Sequence, residues 1–520
     1  MSLLKRAVLV VGFCLPLLAI ATPAEARVGG GHSYSSRSSS SSRSSGSSRS
    51  SGSSRSSGSS YGGSSYSGSS YSGGSSGGAG FGFFGIVVMF GFFGLLLFAM
   101  MMAKKQGDSS VSYGGGGYDD DDNAGRPRFA QPLPASWGAR GRAIDKTFSE
   151  VLFMERAVLL VTRLFQASGN ASDLEAMSPY VTQAAAQRLA QRTMGATVQA
   201  ITVGASSISS LKTVAADGQT LLHLKLKLHL NRHVVSGGRQ DSFYSHEEWS
   251  FVRPVGTAVV RDDDTITRFG CPGCGSTLER DGFGRCVHCQ TSLSPGAADW
   301  TVMAANLLQE DRQGPLLTQD VHEVGTDAPT SKDPGVLDDA DTLLGVDERN
   351  RLLVRARDVF TNLQTAWTAR DLNGLRPFET DALFQSHAFW IREYERQGFR
   401  NRIDDLDVQG VELCRVIEDG DHVVAVCRIA AVCLDSTIND KTGRVVGGNA
   451  KQPRAFTEYW TFVKHKGAAG SPSMKNCPSC GAPLQISQAG VCEFCQSKIT
   501  LGRFDWVASR IEQDEEISGV

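Results

Sequence analysis

The sequence predicts an α+β architecture: two copies of a unit made of helices followed by an antiparallel sheet, each with an inserted four-cysteine ribbon, behind one transmembrane helix. Three observations predict it. One block pattern occurs twice in the C-terminal three-quarters of the chain. Each occurrence carries four cysteines at one spacing. An uncharged apolar stretch long enough to cross a bilayer lies upstream. At 520 residues with a net charge of -2, the chain is long enough for two or three domains. It carries no charge excess of the kind that marks a nucleic-acid partner.

Residues 1–26 have the parts of an export signal. Lys5 and Arg6 open it, an apolar run from Ala7 to Ala21 follows, and Ala24-Glu25-Ala26 offers small residues for cleavage. An uncleaved signal anchor is the other reading of the same residues. Residues 27–80 are mostly Ser, Gly, Arg and Tyr. Arg37, Arg43, Arg49 and Arg55 recur every six residues, and nothing there could build a core, so a disordered spacer is expected. Phe81 to Ala103 is apolar and uncharged over 23 residues, and at about 1.5 Å per residue it spans about 30 Å of hydrocarbon. Lys104 and Lys105 follow it, while Ser56 to Gly80 before it carry no charge. The positive-inside rule then places the C-terminal part in the cytoplasm, whether or not the signal is cleaved. Residues 104–143 read as a linker, with the runs Gly114 to Gly117 and Asp119 to Asp122.

The repeat occupies residues 144–312 and 346–515, with an acidic linker at 313–345. Ser172-Asp173-Leu174 and Pro179-Tyr180-Val181-Thr182 correspond to Arg370-Asp371-Leu372 and Pro377-Phe378-Glu379-Thr380. Before the second of these, Leu352, Val359, Phe360, Leu363 and Trp367 fall on one helical face. Each block is followed by an Asp-Gly turn, Asp217-Gly218 or Asp419-Gly420. Strand patterns come next. Leu222, Leu224, Leu226, Leu228 and Leu230 alternate with His223, Lys225, Lys227 and His229, the signature of a half-buried strand. Val423 to Leu434 is a more continuous apolar strand. Glu248-Trp249-Ser250-Phe251-Val252-Arg253 and Tyr459-Trp460-Thr461-Phe462-Val463-Lys464 close the pattern.

Cys271, Cys274, Cys286 and Cys289 read CxxC, eleven residues, CxxC, and Cys477, Cys480, Cys492 and Cys495 repeat that spacing. Both first pairs lie in Cys-Pro-x-Cys-Gly. Four thiolates close a tetrahedral shell around one ion and leave no position for substrate, so two structural zinc ions are expected, in ribbons at 269–293 and 475–499. A disulfide framework is the competing reading. It requires an oxidising compartment, against the cytoplasmic orientation and against Cys414, Cys427 and Cys433, which sit in apolar strand-like sequence. A rubredoxin-like iron centre would use the same four ligands. His288, inside a knuckle, reads as a surface residue. Trp300 and Trp506 follow the last cysteines at one offset, which places each ribbon in the hairpin between the last two strands of its sheet.

The second repeat resembles the Tim-forty-four-like domain family. The residues that carry the resemblance are Leu363-Gln364-Thr365-Ala366-Trp367, Arg370-Asp371-Leu372, Pro377-Phe378-Glu379-Thr380, Arg400-Asn401 and Phe456-Thr457-Glu458-Tyr459-Trp460-Thr461-Phe462-Val463. The first repeat is similar more loosely, through Phe165-Gln166-Ala167 and Glu248-Trp249-Ser250-Phe251-Val252. The resemblance implies helices packed on a curved sheet around a pocket, as in nuclear-transport-factor-two-like domains. It implies binding of membrane lipid and protein partners, and it brings no catalytic residues. The four-cysteine insertions and the chain's own span depart from the mitochondrial member for which the family is named, so a role in mitochondrial import does not transfer. The export signal followed by a Ser/Gly tract suggests a bacterial inner-membrane protein.

The expected role is therefore a non-enzymatic adaptor at the cytoplasmic face. An enzyme using the second domain's pocket is the alternative, with Asp404, Asp405, Glu458 and His246 as acid/base candidates, but no nucleophile–base pairing accompanies them. Nucleic-acid binding by the ribbons is not expected. They carry only Arg268, Arg280 and Arg285 in one copy and Lys475 and Lys498 in the other.

Overall fold

The computed structural model describes residues 132–513, apart from 217, 258–268, 272, 273, 275, 295–299, 319–328, 469, 471–475 and 488. The expected signal (1–26), spacer (27–80) and membrane span (81–103) lie outside the described residues. Among the described residues no helix is long and apolar enough to cross a membrane.

The first repeat opens with helices α1 (Trp137–Ile144), α2 (Glu150–Ala167), α3 (Ala171–Ala176) and α4 (Gln183–Thr193). Strands β1 (Thr197–Ala216), β2 (Gln219–Ser236), β3 (Arg239–Pro254) and β4 (Thr301–Asp311) then pair in sequence order, all antiparallel. Ser149 caps α2 by accepting from Leu152 N–H, and Thr182 caps α4 from Ala185 N–H, the usual use of short hydroxyl side chains at helix starts. Gly237 and Gly238, at φ 57° and 78°, make the two-residue turn between β2 and β3, where two positive φ angles match the strand twist.

The second repeat runs α5 (Val336–Leu344), α6 (Val346–Ala369), α7 (Leu372–Leu375) and α8 (Asp381–Gln397). Strands β5 (Phe399–Asp419), β6 (His422–Asn439), β7 (Val445–Gly448), β8 (Arg454–His465) and β9 (Val507–Gln513) follow. The order is β5-β6-β8-β9, with β7 on the end of β6. The architecture is thus mixed α/β with two antiparallel sheets. In both copies the ribbon sequence separates the last two paired strands, as the offsets predict.

The two copies share a detail that sequence comparison does not reveal. After the Pro-aromatic turn, Val181 bridges Val302 in parallel in the first copy, and Glu379 bridges Ala508 in the second. Thr182 N–H and Thr380 N–H each donate to the last strand at 2.9 Å.

The apolar alternation does what its period requires. Leu222, Leu224, Leu226, Leu228 and Leu230 on β2 are fully buried against α2 residues such as Leu160 and Leu164. Burial of such side chains stabilises by about 1.5–3 kcal/mol each. Phe153 meets Trp300 at 4.6 Å and Phe251 edge-on, and Phe165 meets Trp249. In the second core Leu352, Val359, Phe360, Leu363 and Trp367 of α6 are all buried, and Phe360 packs edge-on to Trp460. Cys427 and Cys433 lie in that core and Cys414 in a small cluster beside it, none of them bonded to another cysteine.

Two stretches read from sequence as linkers hold helices. α1 falls in 104–143, where Ser136 caps it and Gly141 packs under Phe148. α5 falls in 313–345. Its acidic composition disguises it, but Val336 and Ala340 belong to the second core.

The repeats pack against each other through reciprocal helix caps. Asp419, at the end of β5, accepts from Ser149 Oγ at 2.8 Å, Glu150 N–H at 3.1 Å and Val151 N–H at 2.9 Å, all at the start of α2. Arg142 of α1 pairs with the same carboxylate. In the other direction Glu155 of α2 accepts from Thr380 Oγ1 at 2.6 Å and Ala382 N–H at 3.0 Å at the start of α8. The positive end of a helix dipole favours a carboxylate at each place. His233 of β2 adds a contact to Glu393 of α8 at 2.8 Å and stacks on Phe389.

Candidate functional site: two four-cysteine metal centres

The four thiols of each ribbon converge. In the first, Cys271 and Cys289 Sγ are 3.6 Å apart and Cys274 and Cys286 Sγ 3.9 Å. In the second, Cys477 and Cys495 are 3.8 Å apart and Cys480 and Cys492 4.0 Å. Within each set every sulfur lies within 4.8 Å of the others. Four sulfurs each about 2.3 Å from a zinc ion in a tetrahedron stand about 3.8 Å from one another, so the observed spacing fits one ion per cluster. No two of these cysteines are joined as a disulfide. His288 is exposed and outside the cluster.

Local backbone geometry creates the convergence. Cys286 N–H donates to Thr291 O and Cys492 N–H to Ser497 O, both at 2.9 Å. Gln290 and Gln496, each just after the last cysteine, take left-handed φ of 61° and 60°. Gly481 does the same at φ 74° in the other knuckle of the second ribbon. These turns aim N–H groups at the sulfurs. Burial alone would raise the Cys286 thiol, but N–H groups of Cys289 and His288 and the Ser276 hydroxyl bring it down to about 6. The Ser497 hydroxyl and N–H bring Cys495 to about 6, while burial pushes Cys477 up to about 12. Each cluster thus holds a thiol ready to ionise, which a cation would convert into a set of thiolates. The first cysteine of each pair is buried and its partner more exposed, in the same order in both ribbons.

The ribbons attach differently. The first touches its repeat at one margin: Tyr180 Oη donates to Gly270 O, Arg280 reaches Ser178, and Arg156 lies 4.2 Å over the Phe269 ring. The second is built in. Lys498, fully buried, places Nζ 2.5 Å from Asp381 Oδ2, and Thr500 Oγ1 donates to Asp381 Oδ1 at 3.0 Å. Arg376 pairs with the same carboxylate, which sits one residue before the N–H capped by Glu155. Glu348 of α6 brackets both ends of this insertion, accepting from Lys464 Nζ at 2.6 Å and Trp506 Nε1 at 2.8 Å. The first repeat uses Arg253 between Asp145, at 2.5 Å, and the Trp300 ring.

The four acid/base candidates are not brought together. Asp404 is half-exposed and paired with Arg402. Asp405 is not at a turn between elements, as adjacent aspartates suggest. It lies inside β5 at a bulge, with φ 51°. Glu458 is buried and accepts from Trp460 Nε1 at 2.9 Å. Glu247 holds Trp249 Nε1 at 2.8 Å in the same way. These are structural carboxylates, and the Glu-x-Trp pair recurring in both copies was the signal for them. His246 lies elsewhere, on β3, at a cleft of about 580 Å³ between the repeats. Sequence reasoning also missed Glu155, Asp381 and Asp419. Burial alone would raise Glu155, and with Asp381 nearby it sits at about 7 despite the Thr380 and Ala382 donors and Lys498.

Residues 348–474 match the Tim44-like domain family. This Tim44-like match runs from the first turn of α6 through β8 into the insertion, and stops short of Cys477. It encloses the motifs, from Leu363 to Val463, that carry the resemblance described above. No curated protein matches the chain. A solved structure described as an Ntf2 like protein involved in plasmid conjugation aligns over 69% of this chain and 92% of that chain, at 10% identity and a TM-score of 0.16. That score is too low to establish a shared fold.

Proposed function

We propose that the protein is a membrane-anchored, non-enzymatic adaptor. Its two Tim44-like repeats bind protein or lipid partners at the cytoplasmic face of a bacterial inner membrane. Each ribbon holds one structural zinc ion. The observation that supports this most is the pair of closed four-thiol clusters, whose donor set and spacing suit zinc and leave no coordination position for a substrate. The Tim44-like match adds a domain of a binding family, and a nuclear-transport-factor-two-like pocket in each repeat belongs to the same reading. Zinc here fixes an excursion whose own core is small: Cys477, Cys492 and Ile499 in the second ribbon, Cys271, Cys286 and Leu293 in the first.

The test uses the full-length protein in native membranes. Two zinc ions per chain are expected after detergent extraction. The eight ribbon cysteines should be reduced, shielded from a membrane-impermeant thiol reagent in intact cells, and reachable in inside-out vesicles after chelation. Absence of metal, with ribbon cysteines oxidised and facing outward, overturns the orientation and the adaptor role together.

A further inference from the structure

The outward face of β2 carries the polar half of its alternation, and near the middle of the strand that face borders the cleft between the repeats. There the antiparallel register sets His229 of β2 directly opposite His246 of β3. The two imidazoles converge, with ring centroids 3.7 Å apart and their Nε2 atoms in contact. The far side of His229 is fixed, since its Nδ1 lies 2.6 Å from Tyr244 Oη. Both histidines line the cleft. None of the reciprocal caps or either core uses them.

We propose that His229 and His246 form a third metal site, a two-imidazole chelate for a divalent transition ion of the zinc, copper or nickel class, open to the cleft. Two imidazole nitrogens from adjacent strands suit such ions and not magnesium or calcium, which take oxygen ligands. An ion between the Nε2 atoms replaces their direct contact and needs only side-chain rotation to separate them. Tyr244 supplies the outer hydrogen bond that metal-bound histidines characteristically make through their other nitrogen. The cleft lining carries charges of both signs, Lys227, Arg415 and Arg510 with Glu150, Asp419 and Glu512. The protein supplies two donors, unlike the four of each ribbon. The remaining positions open onto the cleft, where water or a donor group from a bound partner completes the shell.

The test counts ions. Full-length protein, purified without a histidine tag, is dialysed until its zinc content is constant and is then titrated with Zn²⁺. One further equivalent per chain is expected to bind. That equivalent should be lost in His229→Gln and in His246→Ala, and bound about tenfold more weakly in Tyr244→Phe. The starting zinc content of all three variants should equal that of the wild type, which shows that the body is folded. Because the site is read as a difference from that starting content, failure of the ribbons to hold zinc leaves the result readable. No added equivalent in the wild type, or an added ion that survives both histidine substitutions, overturns the assignment and leaves the pair as a hydrogen-bonded contact.

Discussion

Ionisation of Glu155 should make the paired repeats less stable as pH rises. The carboxylate is fully buried and caps α8 across the repeat interface. Burial holds its proton up to about 7, against an ordinary value of 4.5. The native state therefore binds more protons than the unfolded chain between those values. The stability this group contributes is intact below 4.5 and is lost as pH rises towards 7. At about 1.4 kcal/mol per pH unit, the ionised form costs the native state about 3 kcal/mol. Glu155→Gln removes the charge and keeps the shape. Its carbonyl accepts from Ala382 N–H, and its amide donates to a reoriented Thr380 hydroxyl. Urea unfolding of full-length wild type and variant in detergent, followed by tryptophan fluorescence at pH 5 and pH 8, isolates the effect. Any loss of ribbon metal in acid is common to both proteins and cancels in the difference. The variant should gain about 2–3 kcal/mol on the wild type between pH 5 and pH 8. Parallel pH dependences would refute the reasoning, because Glu155 would then ionise alike in both states.

The other cap is ionic, so its removal should act differently. Asp419→Ala strips three donors of their acceptor at the start of α2 and removes the ion pair of Arg142, which keeps only its bond to Glu418 O, at an expected cost of about 2–4 kcal/mol in urea unfolding at pH 7. Trp460→Phe removes one donor from the buried Glu458 and should cost about 1–3 kcal/mol by the same assay, with little change in zinc content. Cys492→Ser and Cys286→Ser should each remove one zinc ion. Hydrogen exchange at residues 380–386 should rise only in Cys492→Ser, because only the second ribbon is tied to Asp381.

The elements legible in the sequence are those with a strong period or a fixed spacing. The five leucines of β2, the buried face of α6 and the eight ribbon cysteines depend on local pattern, and the structure places them as their periods require. The helices α1 and α5 were hidden because each is short and its apolar residues are few, so they gain stability only by docking on a core made elsewhere in the chain. The interface was hidden for a different reason. Glu155, Asp381, Asp419 and Lys498 read as surface charges, and only their long-range partners make burial tolerable. No window of sequence around Glu155 contains Thr380, 225 residues away. The outward side of β2 was expected to face solvent, yet His233 packs on Phe389 and His229 borders the cleft.

The two ribbons look equivalent in sequence, and their attachment shows why they need not act alike. A buried lysine is stabilised only where a carboxylate meets it, and Lys498 finds Asp381 at the start of the helix that Glu155 caps from the first repeat. Folding of the second ribbon therefore completes a charge network, Lys498–Asp381–Arg376, that also fixes the α8 terminus at the interface. Among the described residues the first ribbon completes no such network. It stands on Tyr180 and Ser178 and carries Phe283 and Val287 in the open; the second ribbon also exposes Phe494, but its Lys498, Thr500 and Leu501 are buried. One spacing of cysteines thus sits in two settings: the second ribbon is tied into the contact between the repeats through Lys498 and Asp381, and the first rests on its own repeat through Tyr180 and Ser178.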